Sequence, residues 1–95
     1  MSLGLRLLDK LVRRVFPNKV ELPDPTLLPD GVEVREATSF LDIFRRGNRV
    51  TVGMTIANTI LVRKGPLTLR LLKHELTHVT QWHKYGIFML FLWIW

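Results

Sequence analysis

No cysteine occurs in these 95 residues, which excludes a disulfide framework and any thiolate metal site. A cysteine-free chain suits a reducing cytosol. Acidic residues are scarce, eight against fourteen Lys and Arg, for a net charge of +6. That balance favours anionic partners such as nucleic acid, phospholipid or an acidic protein face, or is simply a solvated basic surface. Nothing beyond net charge points to nucleic acid. Long apolar runs are also lacking. The longest, Ile87–Trp95, has nine residues. As a helix it rises roughly 14 Å, about half of a bilayer's hydrocarbon thickness, and cannot span it alone. Met1–Phe16 interrupts its leucines with Arg6, Lys10, Arg13 and Arg14, so it does not read as a secretory signal. Internal repeats and low-complexity tracts are absent. The length fits one small domain, near the lower end of what buries a stable core without staples.

What is present divides into three stretches, residues 1–16, 17–31 and 32–95. Leu3, Leu7, Leu8, Leu11, Val12 and Val15 recur at helical spacing, with the basic residues largely off that stripe. Residues 2–16 therefore read as a basic amphipathic helix, docked on the core or lying on an anionic membrane surface. Pro17 ends it. Pro17–Gly31 carries four prolines and a Pro29-Asp30-Gly31 turn signal, which predicts an extended connector. Val32–Glu36 alternates as a short strand, and Ser39–Arg46 is ambiguous, with room for a helical turn or two. Arg49–Ile56 and Thr59–Arg63 flank Ala57-Asn58 and predict a β-hairpin. A helix is expected from Pro66 to about Tyr85, with Lys84 favourable at its end and Gly86 as its cap. Leu69, Leu72, Leu76 and Val79 would form its core side. The fold class is α+β.

That last helix holds the chemistry. His74-Glu75-Leu76-Thr77-His78 fits H-E-x-x-H, a pattern that on a helix sets two imidazoles on one face for a single metal ion. Glu75, about 100° around the helix, can then reach a water at the metal and take its proton. The plain alternative is a pair of surface histidines beside a solvated glutamate. Gln81 lies seven positions after His74, two turns up, where it could hold a ligand imidazole or substrate, or be an ordinary helix glutamine.

A catalytic zinc normally has three protein ligands and one open position. His83 is a poor third ligand, because on an unbroken helix it lies about 140° from His78. No Asp or Glu follows His78. A third ligand would have to be an earlier acid folding back (Glu33, Glu36 or Asp42), or come from another subunit.

Thr59-Ile60-Leu61-Val62-Arg63, then Leu71-Leu72-Lys73-His74-Glu75-Leu76-Thr77-His78-Val79-Thr80-Gln81-Trp82 and Tyr85-Gly86, resemble a group of small bacterial and phage zincin-like proteins. Those carry a stretch like T-[LV]-G-x-T-I-x-[VL]-R, a short gap, then L-L-x-H-E-L-x-H-V-x-Q-[YW]-x-x-x-G. The leucine-rich basic start followed by Pro17 is also similar. The resemblance implies a minimal zincin fold, a small twisted sheet beside an active-site helix, with an N-terminal amphipathic helix. It implies His74 and His78 as zinc ligands and Glu75 as general base. It also implies an edge strand, Thr59–Arg63, along which a peptide substrate pairs in extended form. Members typically continue into a further helix with acidic residues, whereas Ile87–Trp95 is acid-free.

Three functions follow as expectations: a small zinc metallopeptidase, a non-catalytic zincin-fold structural or assembly protein such as one of a phage particle, and a peripheral membrane protein. The corresponding locations are cytoplasm, virion and membrane surface. Ile87–Trp95 is expected to pack as core, to bury itself in another copy or a larger assembly, or to enter a membrane interface.

Overall fold

A computed structural model of the chain describes residues 3–22, 24–43, 53–65 and 67–86. The first part of the strand expected from Arg49 and the roles considered for Ile87–Trp95 lie outside them. Helix α1 (Leu3–Val15) is followed by a 3-10 turn (Pro25–Leu27), strand β1 (Glu33–Glu36), helix α2 (Thr38–Ile43), strands β2 (Gly53–Ile56) and β3 (Thr59–Val62), and helix α3 (Leu69–Tyr85). The class is α+β, as expected. Of the ambiguous segment after β1, residues 39–43 belong to α2, and the rest lies outside the described residues.

The sheet has three strands in the order β1-β3-β2, with β3 parallel to β1 and antiparallel to β2. This corrects the expectation that Thr59–Arg63 is an edge. All four residues of β3 are buried, because strands pair on both sides of it and helices cover both faces. The pleat assigns the faces. Val34, Ile60 and Val62 point to one side and pack with Leu72 and Val79 of α3. Met54 and Leu61 point to the other and pack with Val12 of α1, Ala37, and Leu41 of α2. The chain is thus layered as α1 and α2, sheet, α3.

The connector is more structured than its prolines suggest. Lys19 forms an antiparallel bridge with Arg35, Val20 N–H donates to the Val34 carbonyl, and Glu36 N–H donates to that of Asn18. Residues 18–20 therefore run along the outer edge of β1, and Val20, Leu22 and Leu28 pack against the core.

Helix α1 docks by a face other than the expected one. Leu5, Asp9 and Val12 are buried, while Leu3, Leu7, Leu11 and Val15 are exposed. Buried Asp9 explains the rotation. Its Oδ1 accepts the Asn58 N–H at 3.1 Å and the Thr59 hydroxyl at 2.7 Å, and its Oδ2 pairs with Arg13 at 3.1 Å. At the helix C-terminus, Arg35 donates to the Arg13 and Phe16 carbonyls, satisfying acceptors the helix leaves unpaired. The hairpin turn that Asp9 grips holds Ala57 at φ 53°, in the left-handed region that residues other than glycine seldom adopt.

Asp9→Ala would strand a buried N–H and a buried hydroxyl. We expect it to destabilise the fold by about 3 kcal/mol in a denaturant titration, with Asp9→Asn costing less. A second prediction concerns acid. The Arg35 guanidinium, 2.6 Å from Glu33, holds that carboxyl below its ordinary value, aided by Arg13 and Lys19 against partial burial. A depressed folded-state value adds stability that is full above the ordinary carboxylate range and disappears as pH falls through the folded value. Glu33→Gln should therefore melt below the parent at neutral pH, and the two melting temperatures should converge on acidification.

Candidate metal centre

Helix α3 starts at Leu69, where the Thr68 hydroxyl accepts the Leu71 N–H, and closes at Gly86 (φ 61°), whose N–H returns to the Trp82 carbonyl. Its buried residues are Leu72, Glu75, Val79 and Trp82. Leu69, expected in the core, is 51% exposed, and Leu76 is half-buried. Trp82 extends the buried stripe at the far end of the helix, and a carboxylate sits in its middle.

Two contacts fix this rotation. The Trp82 indole Nε1 donates to the Thr55 carbonyl at 2.9 Å. The Thr55 hydroxyl lies 3.0 Å from Glu75 Oε2, to which it donates, and 3.2 Å from the Glu75 backbone carbonyl. Glu75 is only 3% exposed. Two residues along β2, on the same face, Gly53 leaves room for the carboxylate: a Cβ there would stand 3.4 Å from Glu75 Oε1 and 3.3 Å from Leu71 Cδ1. Sequence reading missed Thr55, Gly53 and Trp82. The only available signal was the two-residue spacing of Gly53 and Thr55.

With Glu75 turned inward, His74 and His78 come to the rim of the helix. His74 is exposed and His78 half-buried. Their Nε2 atoms converge to 3.2 Å, the rings nearly perpendicular. Two imidazole nitrogens on one tetrahedral zinc, each ~2.0–2.1 Å from it, would stand about 3.3 Å apart. His78 Nδ1 lies 2.8 Å from Gln81 Oε1. An amide oxygen only accepts, so this bond puts the proton on Nδ1 and leaves the Nε2 lone pair for a ligand. Donor atoms of His74, Glu75 and His78 all lie within 4.8 Å of one another. These three residues could hold a metal ion.

No known protein family, curated protein or solved structure matches this chain. The centre must therefore be judged on its own donors. Every His, Asp and Glu of the sequence falls among the described residues, and no other joins the cluster. His83 turns to the hairpin, its Nε2 on Asn58 Oδ1. Glu33 is occupied by Arg35 and Arg13, Glu36 accepts the Thr38 N–H, and Asp42 pairs with Arg63 at 2.7 Å. None of the three earlier acids considered as ligands folds back to the histidines.

Metal binding by this pair predicts a role for Gln81 that a surface glutamine would not have. Gln81→Leu should weaken metal affinity about 10–100-fold in a competition titration with a chromogenic chelator. His78→Ala should abolish binding. Equal affinity for Gln81→Leu and parent would mean that the Gln81 contact does not orient the ligand.

Proposed function

We propose that this chain is a zincin-like unit that hydrolyses peptide bonds with zinc held by His74 and His78. The observation carrying this reading is the placement of Glu75: a buried carboxylate, braced by the Thr55 hydroxyl, with an oxygen within 4.8 Å of the converging ring nitrogens. At that reach Glu75 would act as general base on a water beside the histidines. Nitrogen donors without thiolates suit zinc among the common divalent ions, though imidazole also accepts others.

When bound, zinc supplies Lewis-acid polarisation of a carbonyl and makes a nearby water more acidic. The chain's own residues do the rest. Glu75 takes the proton of the attacking water and passes it to the leaving amine. The Thr55 hydroxyl holds Oε2, so the carboxylate presents a fixed edge to that water. Gln81 fixes the tautomer and ring plane of His78.

The substrate path differs from the one the resemblance implied. Strand β3 is central and has no free edge, so an extended peptide would have to approach β2. The register pairs Thr55 with Ile60 next to the closing Ile56–Thr59 pair of a two-residue turn, which directs the Thr55 carbonyl away from β3. The Trp82 indole already occupies that carbonyl. Gly53 has the same orientation, carries no side chain and lies against Glu75, so an extended substrate would align there.

A second reading has one observation in its favour: apart from Glu75, no His, Asp or Glu side chain among the described residues joins the pair. A non-catalytic assembly protein would use the two histidines as half of a brace completed by another molecule. Glu75→Gln separates the two. For a peptidase, the variant retains near-stoichiometric zinc and loses about 10²–10⁴-fold in cleavage rate on a generic peptide. Zinc binding with no cleavage by the parent protein would leave the brace, and absence of zinc from metal-replete protein would sink both.

A further inference from the structure

Helix α1 has two apolar faces, and only one of them is used by the fold. Leu5 and Val12 are buried, with Leu8 and Phe16 partly so. Leu3, Leu7, Leu11 and Val15, each four residues from the next, are 73%, 61%, 58% and 59% exposed. Steps of four advance about 40° around a helix, so the four side chains make one gently slanting ribbon of about 20 Å. Arg6, Lys10 and Arg14 step by four as well, one position earlier, and all three are exposed beside that ribbon. The single acid of α1, Asp9, is buried against the hairpin. The outward face of the helix is therefore apolar along one side, cationic along the other, and free of negative charge.

We propose that this face lies on an anionic phospholipid surface, with Leu3, Leu7, Leu11 and Val15 in the acyl boundary and Arg6, Lys10 and Arg14 at the headgroup phosphates. The charge pattern selects this occupant. A second copy packed antiparallel on the same face would bring the cationic row against its own image, and one packed parallel would leave both rows without an anion. A polyphosphate would satisfy the bases and leave the leucines in water. Anionic lipid offers both chemistries at the depth separation that an amphipathic helix requires. No helix among the described residues is long and apolar enough to cross a membrane, so the contact is interfacial. The proposal does not depend on the metal chemistry of α3.

Sedimentation of the full chain with vesicles tests it. Vesicles of phosphatidylcholine with phosphatidylglycerol should pull the protein down at low salt, and phosphatidylcholine alone should do so far more weakly. Each basic residue near such a surface strengthens binding about fivefold, so Arg6→Gln/Lys10→Gln/Arg14→Gln should weaken it on the order of a hundredfold. Leu7→Gln/Leu11→Gln should weaken it on the order of tenfold or more, at either salt concentration. All five side chains are exposed, so both variants should keep the parent's circular dichroism and melting temperature. Three results would overturn the proposal. The parent could fail to bind anionic vesicles. Binding could survive intact in Leu7→Gln/Leu11→Gln, which would assign it to another part of the chain such as Ile87–Trp95. Or that variant could convert a dimer to a monomer with no lipid effect, which would make the face a contact between copies.

Discussion

Thr55 sets the rotation of α3 about its own axis, and most of the candidate site follows from that rotation. Its carbonyl receives the Trp82 indole and its hydroxyl serves Glu75, so one strand residue holds two points of the helix seven positions apart. With both held, Leu72 and Val79 fall on the sheet and His74, His78 and Gln81 are carried to the rim. A rotation by one residue, about 100°, would bury an imidazole and expose the carboxylate. The apolar residues alone would not decide between these settings, because Leu69 and Leu76 offer a competing stripe with Leu72. The polar contacts of Thr55 decide it. A buried carboxylate also needs such a donor, since burial without one is costly.

The same logic explains how far the fold could be read from the sequence. The spacing of His74, Glu75, His78 and Gln81 was legible because helix geometry alone relates them. The Ala57-Asn58 hairpin and the Gly86 stop were legible because turn and cap chemistry is local. Strand order was not. Thr59-Ile60-Leu61-Val62 is a continuous apolar run, and a strand covered on both faces reads that way, but nothing local says which strand pairs with its second edge. The docking face of α1 was illegible for a related reason. Six apolar residues suggested one stripe, whereas Asp9 chooses the face by reaching the Asn58 N–H and Thr59 hydroxyl, partners 49 and 50 residues away.

The candidate metal centre gains from its position as much as from its donors. His74 and His78 project from a helix rather than a loop, and the helix is clamped to the sheet at Glu75 and Trp82. The ligand pair is thereby placed within the precision that a two-nitrogen site requires. Gln81 adds the outer contact that sets the tautomer of the less exposed histidine. An ion held by this pair would need further donors, from Glu75, water or another molecule. A bidentate imidazole pair is weaker than a three-ligand site, so the affinity of this centre depends on what completes it.

The two functional surfaces argued for this chain meet at the hairpin turn. Asn58 gives its N–H to Asp9 of α1 and its side-chain oxygen to His83 of α3, while Leu5, Ala57 and Trp82 pack together beneath. His83 thus fastens the end of α3 to the same turn that seats α1. Because α1 and α3 lie on opposite faces of the sheet, a chain resting on lipid through α1 would hold α3 on the side away from the bilayer. The paired histidines would then face the aqueous phase at a distance set by the thickness of the sheet layer.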